Sequence, residues 1–367
     1  MKKVLVITRH AIANYGSILQ AIATQRAVEG LGFECKIIDY IRNDEFKSNG
    51  LITAGKQKTY VKKFPPMLAA YYLARLSEDK SACNKFERMR QKWLPMTELY
   101  HDLSNPPEAD IYMTGSDQVW GPLMNFQYDW NYFLDFVKGS KKKVAYAASF
   151  GKMKIEERDL AKMLQCFKEY DSITVRENQA VSFLNDNNIP STQVLDPTLL
   201  FTGDEWRTML SAKEREDKGK YVLVYQIHKN ERLSSYAAKF AQRVGLPLKR
   251  LAVMRHQKSW GGDFIETPDI QEFLEYFDNA AYVVTDSFHG TAFSINLNTP
   301  FVTLMPETGT SARNISLLEL TKLTSLIARD ENDFSVLESD IDFTEANHTL
   351  EKERIKSKEE LLRILSN

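Results

Sequence analysis

Short apolar runs alternate with amphipathic stretches along most of the chain. Val4 to Thr8 reads as a strand, followed by a polar turn at Asn14-Tyr15-Gly16. From Ser17 to Leu31, the residues Ile18, Leu19, Ile22, Ala23 and Leu31 recur at three- and four-residue spacing, which predicts a helix that Gly32 stops. Cys35 to Tyr40 is a second strand, so the chain opens as a βαβ unit. Further strands are predicted at Ile111 to Thr114, Val144 to Ala148, Ser172 to Val175 and Gln193 to Leu195. After a mostly charged segment, Lys213 to Lys220, the alternation restarts. It predicts strands at Tyr221 to Ile227, Leu248 to Val253, Tyr282 to Thr285 and Phe301 to Leu304, with helices at Glu231 to Val244, Asp269 to Phe277 and Thr291 to Asn296.

Alternation of this kind builds parallel sheets, whose ligands sit beyond the carboxyl ends of the strands. Two such series predict an α/β protein with two Rossmann-like β/α domains, residues 1–212 and 213–343. Residues 344–367 are expected to form an amphipathic helix, with Leu350, Ile355, Leu361, Leu362 and Leu365 packing on one of the domains.

A length of 367 residues agrees with two domains at roughly 100 to 200 residues each. The 48 basic and 49 acidic side chains leave a formal charge of −1, so no global field would hold nucleic acid or an anionic membrane. Apolar residues run evenly to the C-terminus, which argues against disorder and for a soluble enzyme or binding protein. The apolar run after Lys2-Lys3 is too short for a signal peptide, and no stretch reaches the ~18 apolar residues of a membrane span. Cys35, Cys83 and Cys166 are isolated, which indicates neither a zinc site nor a disulfide framework and fits the reducing cytoplasm.

Three segments carry candidate chemistry. In the first, the apolar run Tyr282 to Thr285 leads directly into Asp286-Ser287-Phe288-His289-Gly290 and a helix. Such a turn aims backbone N–H groups and a helix dipole at an anion, with His289 placed as a proton donor. The structural alternative makes Asp286 or Ser287 a helix cap and His289 a satisfied, semi-buried residue. The second is Thr308-Gly309-Thr310-Ser311-Ala312-Arg313-Asn314, where hydroxyls and a guanidinium precede a helix; its alternative is an ordinary cap with a solvated Arg313. The third, Gly115-Ser116-Asp117-Gln118-Val119-Trp120, puts sugar-binding side chains beyond a strand end, with Asp117 a candidate base and Trp120 either a sugar platform or a core residue.

These segments resemble the polysaccharide pyruvyl transferase family, in the family's order over nearly the whole chain. The matching motifs are Asn14-Tyr15-Gly16 with Leu19-Gln20, Gly115 to Trp120, Tyr146-Ala147-Ala148-Ser149-Phe150-Gly151, Arg176-Glu177, Asp196-Pro197-Thr198, Thr285 to Gly290, and Arg313 with Leu317-Leu318. The resemblance implies two domains facing a cleft, similar to the GT-B glycosyltransferase fold. It also implies transfer of the enolpyruvyl group of phosphoenolpyruvate onto two hydroxyls of a sugar, giving a cyclic ketal and phosphate. In that reading the C-terminal domain serves phosphoenolpyruvate and the N-terminal domain the acceptor. His289 and Asp117 are catalytic, and Arg176, Ser287, Phe288, Gly290, Arg313, Asn14, Tyr15, Gly16, Ser116 and Gln118 bind substrates. No metal or cofactor is called for.

Some family members carry Arg-Leu before the histidine where this chain has Ser287-Phe288, so Arg313 or Arg176 would supply the charge for the donor carboxylate. Two alternatives stand beside pyruvyl transfer: a nucleotide-sugar glycosyltransferase of similar fold, and a glycan-binding paralogue without transfer. Finally, Lys56, Lys58, Lys62 and Lys63 precede Phe64 to Leu76, which includes Met67, Leu68, Tyr71, Tyr72 and Leu73. Residues 56–76 form either a peripheral contact with the inner face of a membrane, where a lipid-linked sugar waits, or a core helix or cleft wall with solvated lysines.

Overall fold

The computed structural model describes residues 1–46, 49–123, 127–151, 153, 155–305, 311–338 and 340–366. The chain forms two compact units, Met1–Pro197 with Ser357–Asn367, and Thr198–Lys356.

Among the described residues, the first unit holds β1 (Lys3–Ile7), β2 (Glu34–Tyr40), β3 (Met96–Tyr100), β4 (Ile111–Thr114), β5 (Lys142–Ala148), β6 (Ser172–Val175) and β7 (Ser191–Gln193). They make one parallel sheet in the order β3-β2-β1-β4-β5-β6-β7. Val4 to Ile7 are fully buried, because a central parallel strand is covered on both faces. The helix Tyr15–Gly30 is buried almost all round, which explains why its apolar residues are not confined to one stripe.

The second unit holds β8 (Val222–Tyr225), β9 (Leu248–Ala252), β10 (Asp263–Glu266), β11 (Tyr282–Thr285) and β12 (Phe301–Thr303). Its parallel sheet runs β10-β9-β8-β11-β12. In each sheet the strand order reverses beside the unit's first strand, between β1 and β4 and between β8 and β11. Helices leave opposite faces at such a reversal, which opens a crevice beyond the strand ends.

Three expectations are revised. The division falls at Pro197/Thr198 and not at 212/213. Trp206 is fully buried, donates from Nε1 to the Thr198 carbonyl at 2.8 Å and packs against Phe293 at 5.3 Å, so residues 198–212 belong to the second unit's core. The C-terminal helix, Thr344–Ser366, is present but is divided between the units. Arg354 donates to the Leu199 carbonyl and to Asn296 Oδ1 in the second, and Ser357 Oγ accepts from Leu195 N–H in the first. The strands β3 and β10 were not anticipated, because both are partly exposed edge strands without an apolar run.

Residues 56–76 are not a core helix. Tyr60, Phe64, Met67 and Leu73 are all exposed, and the helix Met67–Trp93 buries residues only in its second half, at Ala82, Phe86, Met89 and Arg90. Among the described residues no helix is long and apolar enough to cross a membrane.

Candidate active site

In the second unit, β11 ends at Thr285 and the chain turns through Asp286 and Ser287 into the helix Phe288–Leu297, all ten residues of which are buried. Ser287 is the N-cap, its Oγ accepting from Gly290 N–H at 3.3 Å, while its own N–H donates to Thr285 Oγ at 3.0 Å. Thr285 Oγ in turn donates to the Tyr225 carbonyl on β8 at 2.7 Å. The turn is therefore tied to both strands at the reversal, and the first turn of the helix presents its N–H groups there.

His289 lies in that first turn and is 5% exposed, its ring edge-on to Phe288 at 5.1 Å. The Arg313 guanidinium lies 5.6 Å from the Phe288 ring, so Phe288 neighbours both Arg313 and His289. Of the second candidate segment, Thr308, Gly309 and Thr310 lie outside the described residues.

Asp286 does not cap the helix. Its fully buried carboxylate accepts from Ile227 N–H at 2.8 Å and from His228 N–H at 3.1 Å, and it pairs with His228 Nδ1 at 3.1 Å. Nearby, Arg250 donates to Gln226 Oε1 at 2.8 Å. Burial lowers the pKa of this guanidinium to about 10, with Asp286 acting in the opposite direction.

In the first unit, β4 leads into Gly115-Ser116-Asp117-Gln118. Asp117 has φ +76°, a left-handed conformation rare for a residue with a Cβ. It is held there by Ser17 Oγ, which donates to Oδ2 at 2.6 Å, by Gln118 N–H on Oδ1 at 2.7 Å, and by a bridge to Ala148. The β5 strand breaks register between Ala145 and Ala148, where Ala147 also takes a positive φ of 53°. Asn14 caps the helix Tyr15–Gly30, its Oδ1 accepting from Gly16 N–H at 2.8 Å, and Ser17 in the same first turn joins that helix to Asp117. Tyr15 is buried with its ring 5.0 Å from Phe86, and Gln118 Oε1 lies against Gly151.

Arg176 is enclosed in the same network. Its Nη1 donates to Asp196 and, at 3.2 Å, to Ser116 Oγ; Nη2 stands 3.8 Å from Asp117 and Nε 3.7 Å from Glu177. Burial works against the charge, but Asp196, Glu177 and Asp117 outweigh it and hold the guanidinium above its ordinary range. Ser116 Oγ donates to Asp196 at 3.0 Å and Ser149 Oγ to Glu177 at 2.6 Å. The fork of Arg176 is thus engaged by carboxyl groups of its own unit. Trp120 is a core residue rather than a sugar platform: it is fully buried, packs on Phe133, Phe150 and Phe167, and donates from Nε1 to the Tyr132 carbonyl at 3.2 Å.

The family model described as polysaccharide pyruvyl transferase matches residues 14–307, well over half of the chain. The chain belongs to the polysaccharide pyruvyl transferase family. Both polar clusters of this pyruvyl transferase family member lie within the match, whereas Arg313 lies beyond it. No curated protein matches it in sequence. Among solved structures it is similar to UDP-GlcNAc 2-epimerase from Methanocaldococcus jannaschii, at TM-score 0.54 and 13% identity over 99% of each chain. It is also similar to the S. aureus MnaA–UDP structure, at 0.53 and 13% over 98% of this chain and 95% of that one. A third is UDP-GlcNAc 2-epimerase from Neisseria meningitidis bound to UDP-GlcNAc, at 0.52 and 9% over 100% and 99%. The shared architecture is the GT-B fold, two parallel α/β units in one chain.

The residues most visible in the sequence, Asp117 and His289, thus sit at the reversals of the two sheets. The pairing of His228 with Asp286 was missed, because His228-Lys229-Asn230 reads as a polar loop and its partner is 58 positions away.

Proposed function

We propose that this family member transfers the enolpyruvyl group of phosphoenolpyruvate to two hydroxyls of a sugar in a cell-surface glycan or its precursor, forming a cyclic pyruvate ketal. The observation that carries this reading is His289 in the first turn of a helix that opens at a sheet reversal, next to Phe288, whose ring also neighbours the Arg313 guanidinium. Phosphoenolpyruvate is a compact anion, and helix N–H groups with a guanidinium suit its phosphate and carboxylate. His289 gives a proton to the methylene carbon, making C2 electrophilic, and one sugar hydroxyl bonds to C2 as Asp117 takes its proton. The C2–O bond to phosphate then breaks, its electron pair leaving with the phosphate, and the second hydroxyl closes the ketal. Arg176, joined to Ser116 and Asp117, fixes the carboxylate that meets the acceptor, while Asn14, Tyr15, Gly16 and Gln118 shape that side. Ser287 and Gly290 shape the donor turn. The chemistry uses no metal or cofactor, and the protein works in the cytoplasm.

The similar structures that hold UDP and UDP-GlcNAc favour a second reading, in which a nucleotide sugar is the glycosyl donor at the same turn. A thermal-shift titration separates the two, using phosphoenolpyruvate, UDP-GlcNAc, GDP-mannose and inorganic phosphate on the parent and on His289→Ala. A ligand at 100 times its Kd adds about 2.7 kcal/mol. Stabilisation by phosphoenolpyruvate beyond that by phosphate, lost in the variant, supports pyruvyl transfer. Response to the nucleotide sugars alone supports glycosyl transfer.

A further inference from the structure

The reaction read above moves two protons off the acceptor. One equivalent ends on the methylene carbon and the other on the departing phosphate. His289 and Asp117 account for the methylene proton and the first hydroxyl, which leaves the second hydroxyl and the phosphate oxygen without a proton-transfer group.

We propose that His228 is that group, and that Asp286 is the positioning residue that holds its tautomer. The inference rests on the pyruvyl-transfer reading. His228 follows β8 and Asp286 follows β11, the two strands that flank the reversal, with Tyr225 paired to Thr285 at their ends. His228 and His289 therefore belong to turns at the same end of adjacent strands. Both oxygens of Asp286 already accept backbone N–H groups, Oδ1 from Ile227 and Oδ2 from His228, so the carboxylate is the acceptor and His228 Nδ1 carries the proton. That leaves the lone pair on Nε2, on a side chain 35% exposed. The turn itself is braced, since Gln226 Nε2 donates to the carbonyls of His228 at 2.9 Å and Asn230 at 2.8 Å. A buried carboxylate orienting a half-exposed imidazole is the arrangement a general base needs, because the same carboxylate stabilises the imidazolium once the proton is taken.

The second hydroxyl oxygen bonds to C2 and its proton passes to His228 Nε2. The imidazolium then returns that proton to the phosphate oxygen whose bond to C2 has broken. Asp117 releases its proton to solvent and His289 regains one from it, so atoms and charge balance with the ketal and hydrogen phosphate as products, and all three side chains are restored.

Two measurements test this on the full-length protein. The first is acylation of His228 by diethyl pyrocarbonate, read by mass spectrometry, with phosphoenolpyruvate, inorganic phosphate or UDP as protecting probes. Protection by at least one of them is expected; equal labelling with all three present overturns the assignment. The second compares phosphate release from phosphoenolpyruvate in the parent, His228→Asn, His228→Ala with added imidazole, and Asp286→Asn, over a panel of p-nitrophenyl hexosides and UDP-GlcNAc. With a retained thermal shift by phosphoenolpyruvate, His228→Asn is expected to lose about 10²- to 10⁴-fold in turnover, and imidazole to restore part of it in His228→Ala. For Asp286→Asn, ring ¹⁵N spectra are expected to show loss of the Nδ1–H tautomer together with turnover. Turnover of His228→Asn within fivefold of the parent overturns the proposal. If the parent releases no phosphate with any acceptor, the pyruvyl-transfer reading fails, and labelling and tautomer still decide whether His228 is a ligand-facing base held by Asp286.

Discussion

A methyl group on Gly290 would stand 2.3 Å from Thr285 Oγ, the hydroxyl that donates to the Tyr225 carbonyl and accepts from Ser287 N–H. The first turn of the His289 helix can therefore sit on the end of β11 only because residue 290 has no side chain. Gly290→Ala pushes the helix off a hydroxyl that is itself pinned. The expected loss is about 1–3 kcal/mol, the usual cost of overpacking, with a matching loss of the phosphoenolpyruvate thermal shift. Urea denaturation of the two proteins checks it, and equal midpoints would contradict it.

Asp117 carries both a carboxylate and a strained backbone, with φ +76°. Asp117→Ala and Asp117→Gly lose the same hydrogen bond from Ser17, so their difference isolates the backbone term. The glycine variant is expected to be more stable by about 1 kcal/mol, because only the residue with a Cβ suffers the left-handed clash. Both are expected to be inactive in transfer. An alanine variant as stable as the glycine one would show that the conformation costs nothing.

Asp39 joins β2 to the helix Met67–Trp93 through Arg90, and His10 Nε2 lies 3.1 Å from its carboxylate. Burial raises its pKa, but the hydrogen bond to His10 and the charge of Arg90 outweigh that and hold the carboxyl below its ordinary value. A group depressed on folding contributes stability above its unfolded pKa, near 4, and loses it as pH falls through the folded value. Asp39→Asn leaves the buried Arg90 with Glu87 as its remaining carboxylate, at 2.8 Å, and should cost about 1–3 kcal/mol at pH 7, the loss of one charged hydrogen bond. That gap should narrow below pH 4. Denaturation midpoints at pH 7, 5 and 3 test the sign, and a constant gap would refute the linkage.

Tyr60, Phe64, Met67 and Leu73 are exposed in a stretch that also carries Lys56, Lys58, Lys62 and Lys63. A contact of this surface with an anionic bilayer would place the basic side chains at the headgroups and the apolar ones in the interface, and it predicts the following. Liposome flotation with 30 mol% phosphatidylserine should carry the parent upward, and Phe64→Ser with Leu73→Ser should remain at the bottom. Equal recovery with phosphatidylcholine alone would exclude the electrostatic part of the contact, and no flotation at all would exclude the contact.

Short-range pattern was enough to reveal the central strands and most helices that lead into or out of the candidate site. Val4 to Ile7, Ile111 to Thr114 and Tyr282 to Thr285 are apolar because a parallel strand is buried on both faces, and that demand is written into consecutive residues. The turns after them, which hold Asp117 and His289, were legible for the same reason, since a polar cluster directly behind such a strand marks where the chain leaves the sheet. Edge strands β3 and β10 were not legible, because partial exposure removes the apolar signature. What only tertiary structure decided is which distant side chains meet. Ser17 reaches Asp117 across 100 positions, Arg176 reaches Asp196 and Ser116, and His228 reaches Asp286, because parallel pairing with helical crossovers brings turns far apart in the chain to one end of a sheet. The same physics moved the boundary between the units from 212 to 197. A buried Trp206 on a segment with no strand of its own joins the core that covers it, and no local pattern records which core that is.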